Sequence, residues 1–440
     1  MVAVSPIGRE APAARTRTDS RGALGSQGRE RGRVVNPRVT LTTATSRGLV
    51  LDLVRSRGPI SRVQIAELTG LTQATISKIV RALLADGIVA ETGEREYTGG
   101  KPRVMLQINP TARFAVGVQL GADSITYVVT DVNGSIVGRT RTRGARDAPP
   151  DDVTAAIGRR IDVLLPALGL DPTRVAGIGL VAPGPLDLAA GSVLDAPTLP
   201  GWSGYPVRGA LADATGLPVL LDNDATAAAI GDFWGGDVAD AVAHSTIYMG
   251  AGVGAGIVLG GTVFRGSSSN AGELGQMRMH RGQAPRGPST EELAGPAAVA
   301  ARARQAVDQG REAGFALSAD ADPFADFAAV SAAAVKGDAL AVELVTESAE
   351  HLADAAIALA NLLDLDSLSL AGPSFETAGS LYLQVVERRL DAGFFARSRH
   401  RVRVQLSAHV ADAAAVGGAA LVLQQELSPR TLGLVTPARD

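Results

Sequence analysis

The chain of 440 residues contains no cysteine, which excludes disulfides, cysteine-ligated zinc, iron–sulfur clusters and thiol nucleophiles. Aromatic residues are scarce at 4%, yet a hydrophobic content of 46% over this length suffices for two or three domains with proper cores. No uninterrupted apolar run is long enough to span a bilayer. The arginines near the N-terminus are not followed by the apolar core of a signal peptide. A cytoplasmic protein with no membrane partner is the expectation.

The net charge of −3 hides an asymmetry: residues 1–103 carry 17 Lys and Arg against 9 Asp and Glu, whereas residues 104–440 carry 25 against 36. A basic front on an acidic body points to phosphate contacts by one part and another task for the rest.

Residues 61–84 read as two short helices joined by the turn Thr69-Gly70-Leu71. Ser61, with Gln64 three residues on, has capping-box spacing, and Thr72 can cap the second helix. The second helix carries an apolar stripe of Ile76, Ile79, Val80, Leu83 and Leu84. At about 100° per residue, Ala74, Ser77, Lys78 and Arg81 then face outward, with Gln73 at the helix start. A small, polar and basic face suits entry into a major groove, where side chains reach base edges. The alternative is an ordinary helical hairpin with a solvated face.

A helix near 46–57, with Leu49, Val50, Leu53 and Val54 inward, completes a three-helix core. Two short strands around Gly99-Gly100-Lys101-Pro102-Arg103 form a wing, whose Lys101 and Arg103 supply charge for phosphates or the minor groove. Residues 41–110 are thus expected to be a winged helix-turn-helix, with Gln73, Ala74, Ser77, Lys78, Arg81, Lys101 and Arg103 on the DNA. Residues 1–40 read as a disordered basic arm, either a solvated extension or a source of non-specific attraction to DNA.

From residue 111 the periodicity changes. Strands over 114–120, 125–132 and 135–142 precede a helix, an apolar strand ending in Ala182-Pro-Gly-Pro185, a second helix, a strand over 219–222 and a helix from about Ala225. The same order begins again near Thr246. Two α/β lobes, 111–235 and 236–428, are expected to flank a cleft, the usual place for a small ligand, with 429–440 a flexible tail.

Five segments of this body follow one another: Val116-Gly-Val-Gln-Leu-Gly121, Gly177-Ile-Gly-Leu-Val-Ala-Pro-Gly184, Ala196-Pro-Thr-Leu-Pro-Gly-Trp202, Asp222-Asn-Asp-Ala225, and Gly250-Ala-Gly-Val-Gly-Ala-Gly256 leading to Ala271-Gly-Glu-Leu-Gly-Gln276. In that order, behind a winged helix-turn-helix, they resemble a transcriptional regulator of the ROK family (repressors, open reading frames and sugar kinases) over about residues 45–425. The resemblance implies an actin/hexokinase-like, ribonuclease H-like α/β body that binds a sugar or sugar derivative as effector. It also implies double-stranded operator DNA as partner and a homodimer or a dimer of dimers in the nucleoid.

Carried over by position, Asn223 and Asp224 fall on the family's Asn-Asp pair, whose Asp is the proton-accepting base in kinases; the pair can equally cap the helix that follows, and both roles can hold together. Glu273 matches a glutamate that binds sugar hydroxyls. Gln276 stands where zinc-containing members have a histidine ligand, so no zinc or other cofactor is expected, and His280 is read as an exposed loop residue. Thr198 replaces an asparagine that often contacts sugar, and Gly184 either brings backbone close to the ligand or serves a turn.

The phosphate motifs depart further. Gln119-Leu-Gly-Ala-Asp123 stands where kinases of this fold have Asp-x-Gly-Gly-Thr, Ala251 replaces a threonine hydroxyl, and Ala371-Gly-Pro373 alters the adenosine side. The expected function is a sequence-specific, sugar-responsive regulator of repressor type with no ATP-dependent catalysis. The alternatives are a sugar kinase with a regulatory DNA-binding head, and a DNA-binding protein whose cleft no longer takes sugar.

Overall fold

The computed structural model describes residues 42–96, 103–146, 148–195, 198–236, 238–278 and 287–432. The head comprises β1 (Thr42–Ala44), α1 (Ser46–Arg57), β2 (Ile60–Ser61), α2 (Arg62–Thr69), α3 (Gln73–Ala85), β3 (Val89–Glu96) and β4 (Arg103–Ile108). Both halves of the capping box are present at Ser61, whose N–H donates to Gln64 Oε1 at 2.8 Å. Gly70 ends α2 at φ 71°, in the left-handed region that a tight turn into α3 requires. Thr72 Oγ1 accepts from the Thr75 N–H at 3.2 Å and caps α3.

Val50, Leu51 and Val54 of α1 meet Ile65 of α2 and Ile76, Val80 and Leu83 of α3 in a fully buried core. One expectation is corrected: Leu49 is exposed and Leu51 is buried. The buried stripe is centred on Val54, one helical turn from Val50 and Leu51, which places Leu49 on the far side. β2, β4 and β3 form an antiparallel sheet in that order. The wing tip with Lys101, the arm 1–40 and His280 lie outside the described residues.

The body holds two five-stranded sheets of matching plan. The first, in order β11-β8-β5-β6-β7, uses β5 (Phe114–Leu120), β6 (Ser124–Asp131), β7 (Ile136–Arg143), β8 (Val175–Ala182) and β11 (Val219–Asn223). Between them come α4 (Pro150–Ala167), the hairpin β9 (Leu186–Asp187) and β10 (Ser192–Val193), and α5 (Val207–Thr215). The second sheet, in order β14-β13-β12-β15-β16, uses β12 (Ala243–Met249), β13 (Val253–Leu259), β14 (Thr262–Val263), β15 (Ser367–Ala371) and β16 (Arg403–Leu406). In each sheet the first strand runs parallel to two later strands and antiparallel to its own hairpin partner. α6 (Asp224–Gly235) leads from the last strand of one sheet to the first of the other. The second lobe adds α7 (Thr290–Ala294), α8 (Pro296–Asp308), α9 (Pro323–Val335), α10 (Ala339–Leu363) and α11 (Gly379–Gly393).

Two boundaries differ from expectation. The last helix, α12 (Ala413–Leu427), does not stay with the second lobe but packs against β5, β8 and α6 of the first. Small residues permit this return: a Cβ at Gly417 would lie 1.7 Å from the Ala227 carbonyl oxygen, so the two helix backbones touch. The expected flexible tail also begins with structure, because β17 (Arg430–Leu432) pairs antiparallel with β1.

Candidate functional site

Residues from both lobes converge where β8 and β11 end. A Cβ at Gly184 would lie 3.3 Å from Asn223 Nδ2, 3.3 Å from Glu273 Oε1 and 3.9 Å from Asn270 Oδ1. Gly184 and Asn223 belong to the first lobe, Asn270 and Glu273 to the second, so the cluster draws on both lobes. Asn223 caps α6, its Oδ1 accepting from the N–H groups of Ala225 at 2.9 Å and Thr226 at 3.3 Å. This leaves its amide N–H groups on the Gly184 side. The capping and ligand-facing roles therefore coexist in one side chain.

Asp224, the first residue of α6, is partly buried, and burial pushes its carboxyl up to about 7, with the nearby Glu273 carboxylate adding to the rise. Glu273 itself is raised, first by desolvation and then by Glu291. A carboxyl near 7 exchanges between hydrogen-bond donor and acceptor around neutral pH, which suits recognition of hydroxyls.

Gln276 is exposed at the end of the 3₁₀ turn Leu274–Gln276 and presents an amide. With no cysteine in the chain, the donor set does not fit the family's zinc. Thr198 is half-buried in the turn leading to the buried Trp202. The contacts that join Gly184, Asn223, Asn270 and Glu273 do not include it.

The phosphate-side positions have other partners. Gln119 Nε2 donates to the Tyr248 hydroxyl at 2.5 Å, and Asp123 pairs with Arg146 at 2.6 Å on the surface. Gly250 N–H donates to Gly252 O at 3.0 Å, and Val253 N–H donates to the Glu291 carboxylate, also at 3.0 Å. Gly256 serves close packing, since a Cβ there would lie 2.1 Å from the Ala225 carbonyl oxygen in the first turn of α6.

In the head, α3 presents Gln73, Ala74, Lys78 and Arg81 to solvent, with Ser77 half-buried between them. Arg47 of α1 pairs with Asp86 at 3.0 Å, holding the C-terminal end of α3. Arg103 is half-buried at the start of β4.

Sequence reasoning missed Asn270 and Arg265. Asn270 accepts from the Leu186 N–H at 2.9 Å and donates to the Leu186 carbonyl at 3.2 Å, so it fastens the Gly184 loop to the Glu273 loop. Arg265 pairs with the buried Asp222 beside Asn223. The run Ser267-Ser-Ser-Asn270 signals a loop, but not the distant segment it grips.

Comparison with known proteins agrees with this architecture. Residues 115–426 match the ROK family and residues 46–90 match a winged helix-turn-helix DNA-binding unit. A putative xylose repressor of Caldicellulosiruptor sp. (strain Rt8B.4) is 27% identical over 386 residues, spanning 86% of this chain and 96% of its own. A glucokinase of Halalkalibacterium halodurans is 30% identical over 321 residues, spanning 72% of this chain and 97% of its own. The crystal structure of a ROK family transcriptional regulator, a homologue of the E. coli MLC protein, superposes with a TM-score of 0.68 at 26% identity, covering 86% of this chain and 95% of that one. The chain belongs to the ROK family and carries a winged helix-turn-helix DNA-binding unit at its head.

Proposed function

We propose that this protein is a sequence-specific transcriptional regulator of repressor type whose cleft binds a sugar as effector. The observation that carries the reading is one chain holding both an exposed polar and basic face on α3 and a two-lobed cluster of hydroxyl-recognising groups. Gln73, Ala74, Ser77, Lys78 and Arg81 enter the major groove, while Lys101 and Arg103 approach phosphates or the minor groove. Asn223, Asp224 and Glu273 bind the sugar beside Gly184, with Thr198 and Gln276 completing the site on closure. D-xylose is the first effector to try, because relatives spanning nearly their whole length are named xylose repressors. A homodimer, or a dimer of such dimers, places two heads on a two-fold-related operator in the bacterial cytoplasm.

The body works without ATP. A kinase of this fold needs free backbone donors and a metal-side carboxylate for phosphate. Here Gln119 is engaged by Tyr248, and the N–H groups of Gly250 and Val253 are bonded internally. No resident metal is needed for hydroxyl recognition.

The test is a mobility shift on the promoter of the protein's own gene at moderate salt, repeated with a sugar panel headed by D-xylose. Retention of a specific fragment that changes with one sugar is expected. Equal retention of all DNA, or none, would overturn the reading. A second reading, phosphoryl transfer to a sugar, is favoured by one observation: the Asp224 carboxyl near 7 suits a general base. Robust ATP turnover with hexoses or pentoses that vanishes in Asp224→Asn would establish it.

A further inference from the structure

We propose that α6 is the mechanical link between the cleft and the DNA-reading head, and that Arg55 is the positioning residue that couples them. This rests on the functional reading above. α6 is a twelve-residue helix, about 18 Å long, and nearly all of it is buried. Its N-cap is Asn223 and its first residue is Asp224, both in the hydroxyl-recognising cluster. At its other end stands Trp234, fully buried, with its indole N–H donating to the Val132 carbonyl at 2.9 Å.

Arg55 of α1 grips that end twice. Its guanidinium donates to the Trp234 carbonyl and stacks over the Trp234 ring, 4.2 Å from the centroid. The Arg55 side chain is only 2% exposed, and Asp52 lies one turn away in the same helix with its carboxylate 3.7 Å off. α1 packs directly on α3, so a displacement of α1 moves the groove-facing side chains. One rigid element thus has the effector residues at one end and the head's anchor at the other.

A cavity of about 160 Å³, lined by Gly134, Asp232, Gly235, Ser407 and His409 among others, borders the C-terminal half of α6. Packed interiors transmit displacement rather than absorb it. A second head–body contact, Ser428 Oγ to Asp52 Oδ2 at 3.0 Å, involves no residue of α6 and serves as the comparison.

The experiment uses the full chain. Arg55→Met keeps the apolar stem and removes the guanidinium, Arg55→Lys keeps the charge, and Ser428→Ala breaks only the contact to Asp52. Affinity for the own-promoter fragment is measured without and with saturating D-xylose, and sugar binding is followed separately by calorimetry. Arg55→Met should bind sugar within about twofold of the parent while the sugar-induced change in DNA affinity shrinks at least tenfold, with Arg55→Lys in between and Ser428→Ala unchanged. An unchanged ratio in Arg55→Met, or an equal loss in Ser428→Ala, would overturn the proposal.

Should Arg55→Met fail to fold, Arg55→Lys carries the comparison. Should xylose not bind the parent at all, it is the effector assignment that fails, and the coupling is read from hydrogen exchange. Linkage is reciprocal, so promoter DNA must then alter exchange in residues 225–230 of the parent and not of Arg55→Met. No change in the parent would reject the link itself.

Discussion

Gln119 in the first sheet donates a 2.5 Å hydrogen bond to the hydroxyl of Tyr248 in the second, tying the two lobes together near Asp224. Tyr248 is buried, and its hydroxyl is held far above the usual phenol range by burial and then by the Asp224 charge, so it stays neutral and needs a partner.

Gln119→Leu strips that partner and leaves a buried hydroxyl unsatisfied. The expected cost is about 1–3 kcal/mol in urea unfolding. Combining it with Tyr248→Phe should return most of the loss, because both polar ends are then gone. A double variant as unstable as the two single losses added together would refute the pairing.

Asp224 gives the protein a signature in pH. Its folded carboxyl lies at about 7 against an ordinary value of 3.8. Between those values the folded state holds a proton that the unfolded chain has released. The contribution of this group therefore falls as pH rises from about 4 to 7 and then levels off. Unfolding midpoints of the parent and of Asp224→Asn, compared at pH 5 and pH 8, should show the parent losing more stability across that interval. Parallel losses would mean the carboxyl is not shifted.

On DNA, Arg81 and Lys101 should differ in kind. Arg81→Ala is expected to cost about 1–3 kcal/mol on the cognate fragment and much less on unrelated DNA, the mark of a base contact. Lys101→Ala should weaken all sequences alike and reduce the salt slope by about one counterion. Titrations at several salt concentrations separate the two, and identical sequence-independent losses from both would reject the assignment.

Gly417→Ala tests the return of α12. The added methyl would overlap the Ala227 carbonyl, which is backbone and cannot swing aside. The expected loss is about 3 kcal/mol or more, read as a drop in thermal midpoint. A stability within about 0.5 kcal/mol of the parent, the usual range for surface changes, would show that the helices do not pack this closely.

Much of this was legible in the sequence because it is encoded locally. The caps at Ser61 and Thr72, the turn at Gly70 and the alternation between strands and helices all depend on neighbours a few residues apart. The face of α1 was read one step off, since Leu49 and Leu51 are both apolar and only packing chooses between them. Asn270, Arg265 and the placement of α12 escaped for another reason. Each is defined by a partner far along the chain, Leu186, Asp222 and β5 respectively, and periodicity carries no record of such meetings. Asn223 and Glu273 were found through motif order, and the structure brings them together around Gly184.

The pairing of β1 with β17 makes Arg430–Leu432 a structural neighbour of the strand that leads into α1 of the head. A change that disturbs residues 430–432 is therefore expected to reach the head through that strand pair.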